Sequence, residues 1–211
     1  MKPELIQNKI EKLAQNWVGE KHIPSLIRAL NKTFEKSIMV FESKRFEGKY
    51  YPDHSVIIGA QYSPYFKPIN LPEGIVITLH FPKDSKMAII TKKGSMNLQL
   101  SILRAIHHEY RHKAQHKNQG YHHTKQYKSK ATNKKIKNKM NYFGSPDELD
   151  AHAYETQIEN TLGKLNINRL RVAHRISWKE SESVYMYRKN FRVLDPKVWK
   201  KFLKKVYKNN L

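Results

Sequence analysis

The chain has 211 residues, a length that suits one compact domain with a long insertion, or one domain with a small appendage. It contains no cysteine, which excludes disulfides and cysteine-ligated zinc, so histidines and carboxylates would have to hold any metal ion. Its 40 Lys and Arg residues outnumber 18 Asp and Glu residues, for a formal net charge of +22. Such an excess is typical of proteins with a polyanionic partner, although a lysine-rich compositional bias also raises the charge.

The sequence indicates a protein that works inside the cell or inside a viral particle. Its apolar runs fall short of the roughly 18 residues that a membrane span needs. The polar N-terminal segment, which begins Met1-Lys2-Pro3-Glu4, is unlike a signal peptide.

An α+β fold is predicted from the order of the periodic segments. Residues 4–18 and 24–36 have apolar side chains at helical spacing, and Pro24 suits the first turn of the second helix. Short β-branched runs, separated by Pro, Gly and Asp, then predict a small, mostly antiparallel sheet. These runs are residues 38–41, 55–58, 75–81 and 87–90.

A long helix is predicted over about residues 96–117, with Ser95 as its N-cap. Residues 113–144 break the helical pattern and read as a basic loop or extended hairpin inserted into the domain. Ser145 and Pro146 then form a strong helix start, and that helix is expected to run to about residue 162.

The remaining chain is predicted to be mainly helical. We expect a helix over residues 165–176, an irregular segment at 180–183 and an amphipathic helix over 196–208. The predicted organisation is a main domain over 1–176 and a basic C-terminal extension over 177–211.

The pentad His108-Glu109-Tyr110-Arg111-His112 is the strongest chemical signal, because helical spacing places both histidines on one face. Two histidine ligands beside a carboxylate that handles the protons of a water is the arrangement of zinc metalloproteases. The apolar stripe leading to the pentad indicates a buried ligand face rather than a solvated helix surface. That stripe is Leu98, Ile102 and Ala105.

A third ligand is needed, because catalytic zinc takes three protein ligands and keeps one open position. Glu148, near the start of the helix after Ser145, is one candidate. The same residue stands at the third helical position of a capping box, where its carboxylate would bond to the Ser145 N–H.

The pentad and the segment Glu148-Leu149-Asp150-Ala151 together resemble the glutamate zincins, the thermolysin-like clan of metallopeptidases. The pairing of residues 108–115 with residues 148–153 is also similar to metallopeptidases encoded by tailed bacteriophages. The resemblance implies a zincin-like domain that binds Zn²⁺ through His108, His112 and Glu148. His152 stands where several such families have an acidic residue, and it is a candidate neighbour or alternative ligand.

A weaker resemblance, to SprT-like proteases, favours His123 as the third ligand instead, since an aromatic residue follows it by four positions. In either case Glu109 would be the catalytic base, hydrolysing peptide bonds in a protein or peptide substrate. The clan aligns its substrate on an edge strand, for which residues 75–81 or 87–90 are the expected candidates. The candidate donors to the reacting carbonyl oxygen are Tyr121, Tyr142, His152 and His174.

The basic insertion suits non-specific contact with the phosphate backbone of a nucleic acid. The expected function is therefore a zinc peptidase that works near nucleic acid, and the alternative is a non-enzymatic DNA-binding or virion protein on the same scaffold. The contact lysines are predicted to be Lys125, Lys128, Lys130, Lys134, Lys135, Lys137 and Lys139.

Overall fold

The computed structural model describes residues 3–34, 38–46, 57–63, 74–82, 86–119, 127–164 and 181–207, which form an α+β fold. The helices in these residues are α1 Pro3–Ala14, α2 Ile23–Thr33, α3 Lys92–Gln119, α4 Lys134–Phe143, α5 Pro146–Lys164, α6 Glu182–Phe191 and α7 Pro196–Val206. The strands are β1 Gly19–His22, β2 Ile38–Phe46, β3 Ile57–Ser63, β4 Gly74–Pro82 and β5 Met87–Ile90.

The strands form two small sheets. In the larger one the order is β2-β4-β3, so that β4 is central and β3 lies at an edge. The β3–β4 pairing is antiparallel and the β2–β4 pairing is parallel, with Ile77 of β4 opposite both Val40 and Ala60. In the smaller sheet β1 pairs antiparallel with β5. Two of the three pairings among the described strands are therefore antiparallel.

The two N-terminal helices and the predicted strand runs are present, with shifted ends. Residues 55 and 56 of the second run lie outside the described residues. The sequence did not indicate β1, because Gly19-Glu20-Lys21-His22 has no β-branched residue. That strand exists because β5 supplies its hydrogen-bonding partner.

The prediction that Ser95 caps α3 is wrong. The helix begins at Lys92, and the Thr91 hydroxyl accepts a hydrogen bond from the Gly94 N–H at 2.9 Å. The Ser95 N–H donates to the Thr91 carbonyl at 2.8 Å, so Ser95 already lies in the first turn. Thr91 has the position and the bonds of the N-cap.

The prediction of a loop or hairpin throughout residues 113–144 is also wrong. Helix α3 continues to Gln119, and α4 occupies residues 134–143. The Asn133 side chain begins α4 by accepting from the N–H groups of Lys135 and Ile136, at 3.0 and 3.1 Å. Lysine is a good helix former once a cap supplies the first turn, which the prediction underrated.

Helix α6 falls partly on the segment that was expected to be irregular. Ser181 is its N-cap, and its hydroxyl accepts from the Val184 N–H at 3.5 Å. The predicted helix over 165–176 lies outside the described residues. The predicted C-terminal amphipathic helix is α7, with Asp195 as its N-cap.

Two hydrophobic cores share the described residues. The first joins α1, α2 and α3 to the strands, and the second joins α4, α5, α6 and α7. In the second core the Tyr187 and Phe202 rings stack 4.1 Å apart. Helices α3 and α5 pack against each other between the two cores, so side chains on their shared face lie where the cores meet.

Among the described residues, no helix combines the length and the apolar character needed to cross a bilayer.

Gly144 joins α4 to α5 beneath the ring of Tyr127. Its backbone is in the ordinary right-handed region, so conformation does not require glycine here. Space does, because a Cβ at this position would lie 2.6 Å from Tyr127 Cγ. The Tyr127 hydroxyl in turn donates to Asp195, at 2.5 Å, which fixes the ring on the C-terminal helices.

We expect Gly144→Ala to lower the free energy of unfolding by about 1–3 kcal/mol, because the methyl group overpacks a fixed ring. Urea denaturation measures the change. Gly59→Ala is the matched control, since its Cβ would meet only the tip of the His80 side chain, at 3.1 Å. In a Tyr127→Ala background the cost of Gly144→Ala should fall to that of the control. An unchanged cost in that background would contradict the steric explanation.

Candidate metal centre

Three side chains from α3 and α5 converge on one point. His108 and His112 lie one turn apart on α3, with their Nε2 atoms 3.1 Å from each other. Glu148, from the first turn of α5, places one carboxylate oxygen 3.3 Å from His108 Nε2 and the other 3.3 Å from His112 Nε2. Donor atoms about 2.0–2.1 Å from a tetrahedral zinc ion are roughly 3.3 Å apart. In the triangle of His108, His112 and Glu148, the separation of the two Nε2 atoms and the distance of each from its nearest Glu148 oxygen are close to that value.

Glu148 does not complete the capping box. Its N–H donates to the Ser145 hydroxyl at 3.4 Å, as an N-cap requires. The Ser145 N–H, however, donates to the Tyr142 carbonyl at 3.1 Å, while the Glu148 carboxylate faces the two histidines. The capping serine and the converging carboxylate therefore occur together, and they do not compete.

Hydrogen bonds on the far side of each ring assign the histidine tautomers. His108 Nδ1 lies 3.2 Å from the Glu155 carboxylate, which can only accept when ionised. His112 Nδ1 lies 2.8 Å from the Gln115 carbonyl oxygen. The Gln115 amide is oriented by its NH₂ group, which donates to the carbonyl of Asp147 at 3.0 Å. Both Nδ1 atoms are therefore donors, and both Nε2 atoms present lone pairs when the rings are neutral.

When the rings are neutral, the two Nε2 atoms and the Glu148 carboxylate are therefore all acceptors, with no donor among them. Two imidazole lone pairs and a carboxylate within 3.3 Å repel one another in a buried site, where the effective dielectric constant is low. Either protons or a metal ion must supply the positive charge. The donor set, two imidazoles and a carboxylate, fits a divalent metal ion.

Without a metal ion, protons take that place. Burial opposes the charge on His108, but hydrogen bonds to Glu148 and Glu155 outweigh it and raise its pKa to about 10. The pKa of His112 is also raised, because its contact with Glu148 outweighs burial. The two histidines hold the pKa of Glu148 well below its usual range, against the effect of burial. A bound metal ion must displace protons here, so its affinity should increase with pH.

His152 offers a further imidazole to the same place. Its Nδ1 lies 3.1 Å from Glu155, so its Nε2 also presents a lone pair, 3.9 Å from Glu148. That Nε2 is buried and has no hydrogen-bond partner among the described residues. His108, Glu148 and His152 together form a group that could hold a metal ion. His112 lies closer than His152 to Glu148, at 3.3 Å against 3.9 Å, and two overlapping triads share His108 and Glu148.

Glu155 is the site residue that the sequence prediction missed. Its buried carboxylate contacts both His108 and His152, and it also accepts from the Ser183 hydroxyl of α6. The Arg104 guanidinium lies 3.4 Å away and supplies a compensating charge. The available signal was spacing, since Glu155 follows Glu148 by seven residues and shares its helix face.

Glu109 lies beside the triangle and is buried. Its carboxylate accepts a hydrogen bond from the Tyr62 N–H of β3 at 2.5 Å. Burial raises the pKa of Glu109, although the neighbouring histidines work against the shift. A carboxyl group with a raised pKa, held by a fixed donor, is suited to taking up and releasing a proton.

A cleft of about 890 Å³ opens on this site. Its floor includes Glu109, His112 and Glu148, and it is bounded by residues 60–62 of β3 on one side. Residues of α4 and of the segment before it form another wall. Neither His108 nor His152 is among the lining residues, so both lie on the buried side of the site.

The strand beside the cleft is β3, not one of the two strands that the sequence favoured. Residues 75–81 lie in the central strand β4, which pairs on both of its edges. Residues 87–90 form β5, which pairs with β1 in the other sheet. A run of β-branched residues does not distinguish an edge strand from a central one, because both can bury one face.

Six of the seven predicted contact lysines are described, and all six are exposed. Two of them, Lys128 and Lys137, line the cleft. Lys125 and the alternative ligand His123 lie outside the described residues, as do Tyr121 and His174. The exposed lysines of α4 and the segment before it are Lys128, Lys130, Lys134, Lys135, Lys137 and Lys139.

We expect Glu155→Gln to weaken divalent metal binding by about 10–100-fold, because an amide has only one acceptor oxygen. The Glu155 carboxylate uses one oxygen for His108 and the other for His152 and Ser183. Competition titration with a chelator at constant pH measures the affinity. Glu159→Gln is the matched control, since Glu159 also pairs with Arg104, at 3.0 Å. Burial raises the pKa of Glu159 to about 7, so this carboxyl group is more easily replaced by a neutral amide than Glu155 is. Equal affinities in the two variants would contradict the orienting role of Glu155.

Searches of protein-family models, curated proteins and solved structures found no match for this chain. The interpretation of the site therefore rests on its own geometry and on the chemistry of its side chains.

Proposed function

We propose that the protein is a zinc-dependent peptidase, with His108, His112 and Glu148 as metal ligands and Glu109 as the catalytic base. One observation carries the proposal. The two histidine Nε2 atoms, turned inward by hydrogen bonds at Nδ1, lie 3.1 Å apart, and each lies 3.3 Å from a Glu148 oxygen. The buried Glu109 carboxylate lies beside them at the floor of a cleft. A merely structural cluster would have no need of an uncoordinated carboxylate facing that cleft.

The donor set favours zinc among the divalent ions. Imidazole and carboxylate ligands suit a tetrahedral zinc site, and the chain has no cysteine to offer a softer one. The order of the elements supports a zincin-like arrangement, in which one helix carries the pentad and the next carries the glutamate. Here α3 and α5 fill those roles, with α4 between them in sequence.

The zinc ion would supply a Lewis acid that polarises the peptide carbonyl and lowers the pKa of a water. Glu109 would take a proton from that water as it adds to the carbonyl carbon. Glu109 would then deliver the proton to the leaving nitrogen, so that the C–N bond breaks into a carboxylate and an amine. The Tyr62 N–H holds one Glu109 oxygen in place during both transfers.

Tyr142 is the best candidate to donate to the reacting carbonyl oxygen. It lines the cleft, whereas His152 does not. Burial and the adjacent Glu148 carboxylate raise the pKa of the Tyr142 hydroxyl, so it stays protonated and available as a donor.

Glu109→Gln should lower the rate of hydrolysis by at least about 10²–10⁴-fold, because the amide cannot take up a proton. Its carbonyl oxygen still accepts from the Tyr62 N–H, so the fold and the metal content should be unchanged. Cleavage of a fluorescence-quenched peptide library gives the rate, and elemental analysis gives the zinc content. A variant that cleaves as fast as the wild type would contradict the mechanism.

Zinc stoichiometry in single variants distinguishes the candidate ligands. Glu148→Ala should lose bound zinc, whereas His152→Ala should keep one ion per chain because three ligands remain. His123→Ala should also keep it. The opposite result for the two histidines, in which His152→Ala loses zinc and His112→Ala keeps it, would instead support the triad that contains His152.

The alternative is a non-enzymatic basic protein that binds DNA, inside the cell or in a virus particle. The exposed lysines of α4 support it, since nothing about their position requires catalysis. Equimolar zinc together with hydrolysis favours the peptidase. A protein without zinc that binds DNA tightly and loses that binding as salt increases favours the alternative.

A further inference from the structure

We propose that the cleft selects an extended peptide segment with acidic side chains, which Lys128 and Lys137 recognise. The proposal rests on the peptidase function and names its class of substrate. Both lysines line the same cleft as Glu109, His112 and Glu148.

The edge strand determines how a peptide would lie. In a strand, the N–H and C=O groups of successive residues point to opposite sides. The Tyr62 N–H points to Glu109 and away from β4, so the N–H and C=O of Ala60, two residues earlier, also point away from β4. Ala60 and Gln61 line the cleft. A peptide could therefore add to β3 by backbone pairing and pass directly over Glu109.

The wall formed by α4 and the segment before it determines which side chains are favoured. Within the described residues, no carboxylate forms an ion pair with Lys128 or Lys137, and both are exposed. Three carboxylates also line the cleft: Glu109 and Glu148 belong to the proposed metal site, and Asp147 lies in the first turn of α5. A substrate carboxylate in this cleft would meet two cations that have no ion-pair partner in the part of the chain that the structure describes.

A nucleic acid fits this cleft less well than a peptide does. The β3 edge offers amide donors and acceptors that a peptide backbone matches in register, and a phosphodiester backbone has no donor to offer in return. The lysines that would serve a nucleic acid without a base-reading motif are on the outer surface of α4, and they do not line the cleft. These are Lys134, Lys135 and Lys139.

The test uses quenched peptides that differ only in having Asp, Asn or Lys at one position on each side of a common cleavage site. With zinc-loaded wild-type protein, we expect kcat/KM to be about fivefold higher for each Asp that replaces Asn, and lower for Lys. In Lys128→Glu/Lys137→Glu the order of the Asp and Lys peptides should reverse. Lys200→Glu/Lys201→Glu is the matched control, because it changes the net charge equally on the exposed face of α7.

Binding is measured in parallel, so that the result does not depend on hydrolysis. Zinc-loaded Glu109→Gln should bind the Asp peptide more tightly than the Asn peptide in fluorescence anisotropy, and the double charge reversal should remove that difference. If the protein binds but never cleaves, the peptidase proposal fails and the recognition proposal stands. Equal kcat/KM and equal affinity for all peptides would overturn the recognition proposal and leave the peptidase intact. An oligonucleotide of the same charge could also compete with the labelled Asp peptide. If it displaces that peptide at a lower concentration than unlabelled Asp peptide does, the recognition proposal is overturned in favour of nucleic acid.

Discussion

The buried carboxylate of Glu155 is the interaction on which the site depends. It holds His108 and His152 by their Nδ1 atoms, from two different helices, and it bonds to Ser183 on a third. A carboxylate so deeply buried would be costly alone, and the Arg104 guanidinium offsets that cost. Because the same group orients two imidazoles, the packing of α3, α5 and α6 is coupled to the direction of the lone pairs.

Through that coupling, the two C-terminal helices α6 and α7 affect the geometry of the site. Ser183 of α6 donates a hydrogen bond to Glu155, and Lys205 of α7 pairs with Asp150 of α5. Arg111 of α3 meets the same Asp150 carboxylate, at 2.5 Å. The second core therefore does more than cover α5, since it fixes the helix that brings Glu148 to the histidines.

The first core contributes the opposite side of the site. Helix α3 packs on the sheet, and the edge strand β3 reaches Glu109 through the Tyr62 N–H. The proposed base, Glu109, is thus held by a backbone N–H whose position is set by the pairing of β3 in the sheet. A cleft between an edge strand and a lysine-bearing helix follows from this arrangement, and it gives the proposed substrate both a backbone partner and a charge partner.

The sequence by itself determined the parts of the site that follow from local spacing. Positions four apart on a helix share a face, so the pentad identified His108 and His112 before their geometry was known. Ser145 and Pro146 identified the start of α5, and hence the helical position of Glu148. The short β-branched runs predicted four strands, but they could not give the order of the strands in the sheet, because pairing is a contact between distant segments.

Only the tertiary structure decided which of the candidate residues meet. The sequence left Glu148 as either a cap or a ligand, and the packing of α3 on α5 turns its carboxylate to the two histidines. The sequence favoured residues 75–81 or 87–90 as the strand beside the site, whereas the edge strand that lines the cleft is β3. The spacing of Glu155 from Glu148 puts both on one helix face, but spacing alone does not single Glu155 out, because a glutamate in a helix is ordinarily a solvated residue. Its role arises from burial between three helices, which no local pattern encodes.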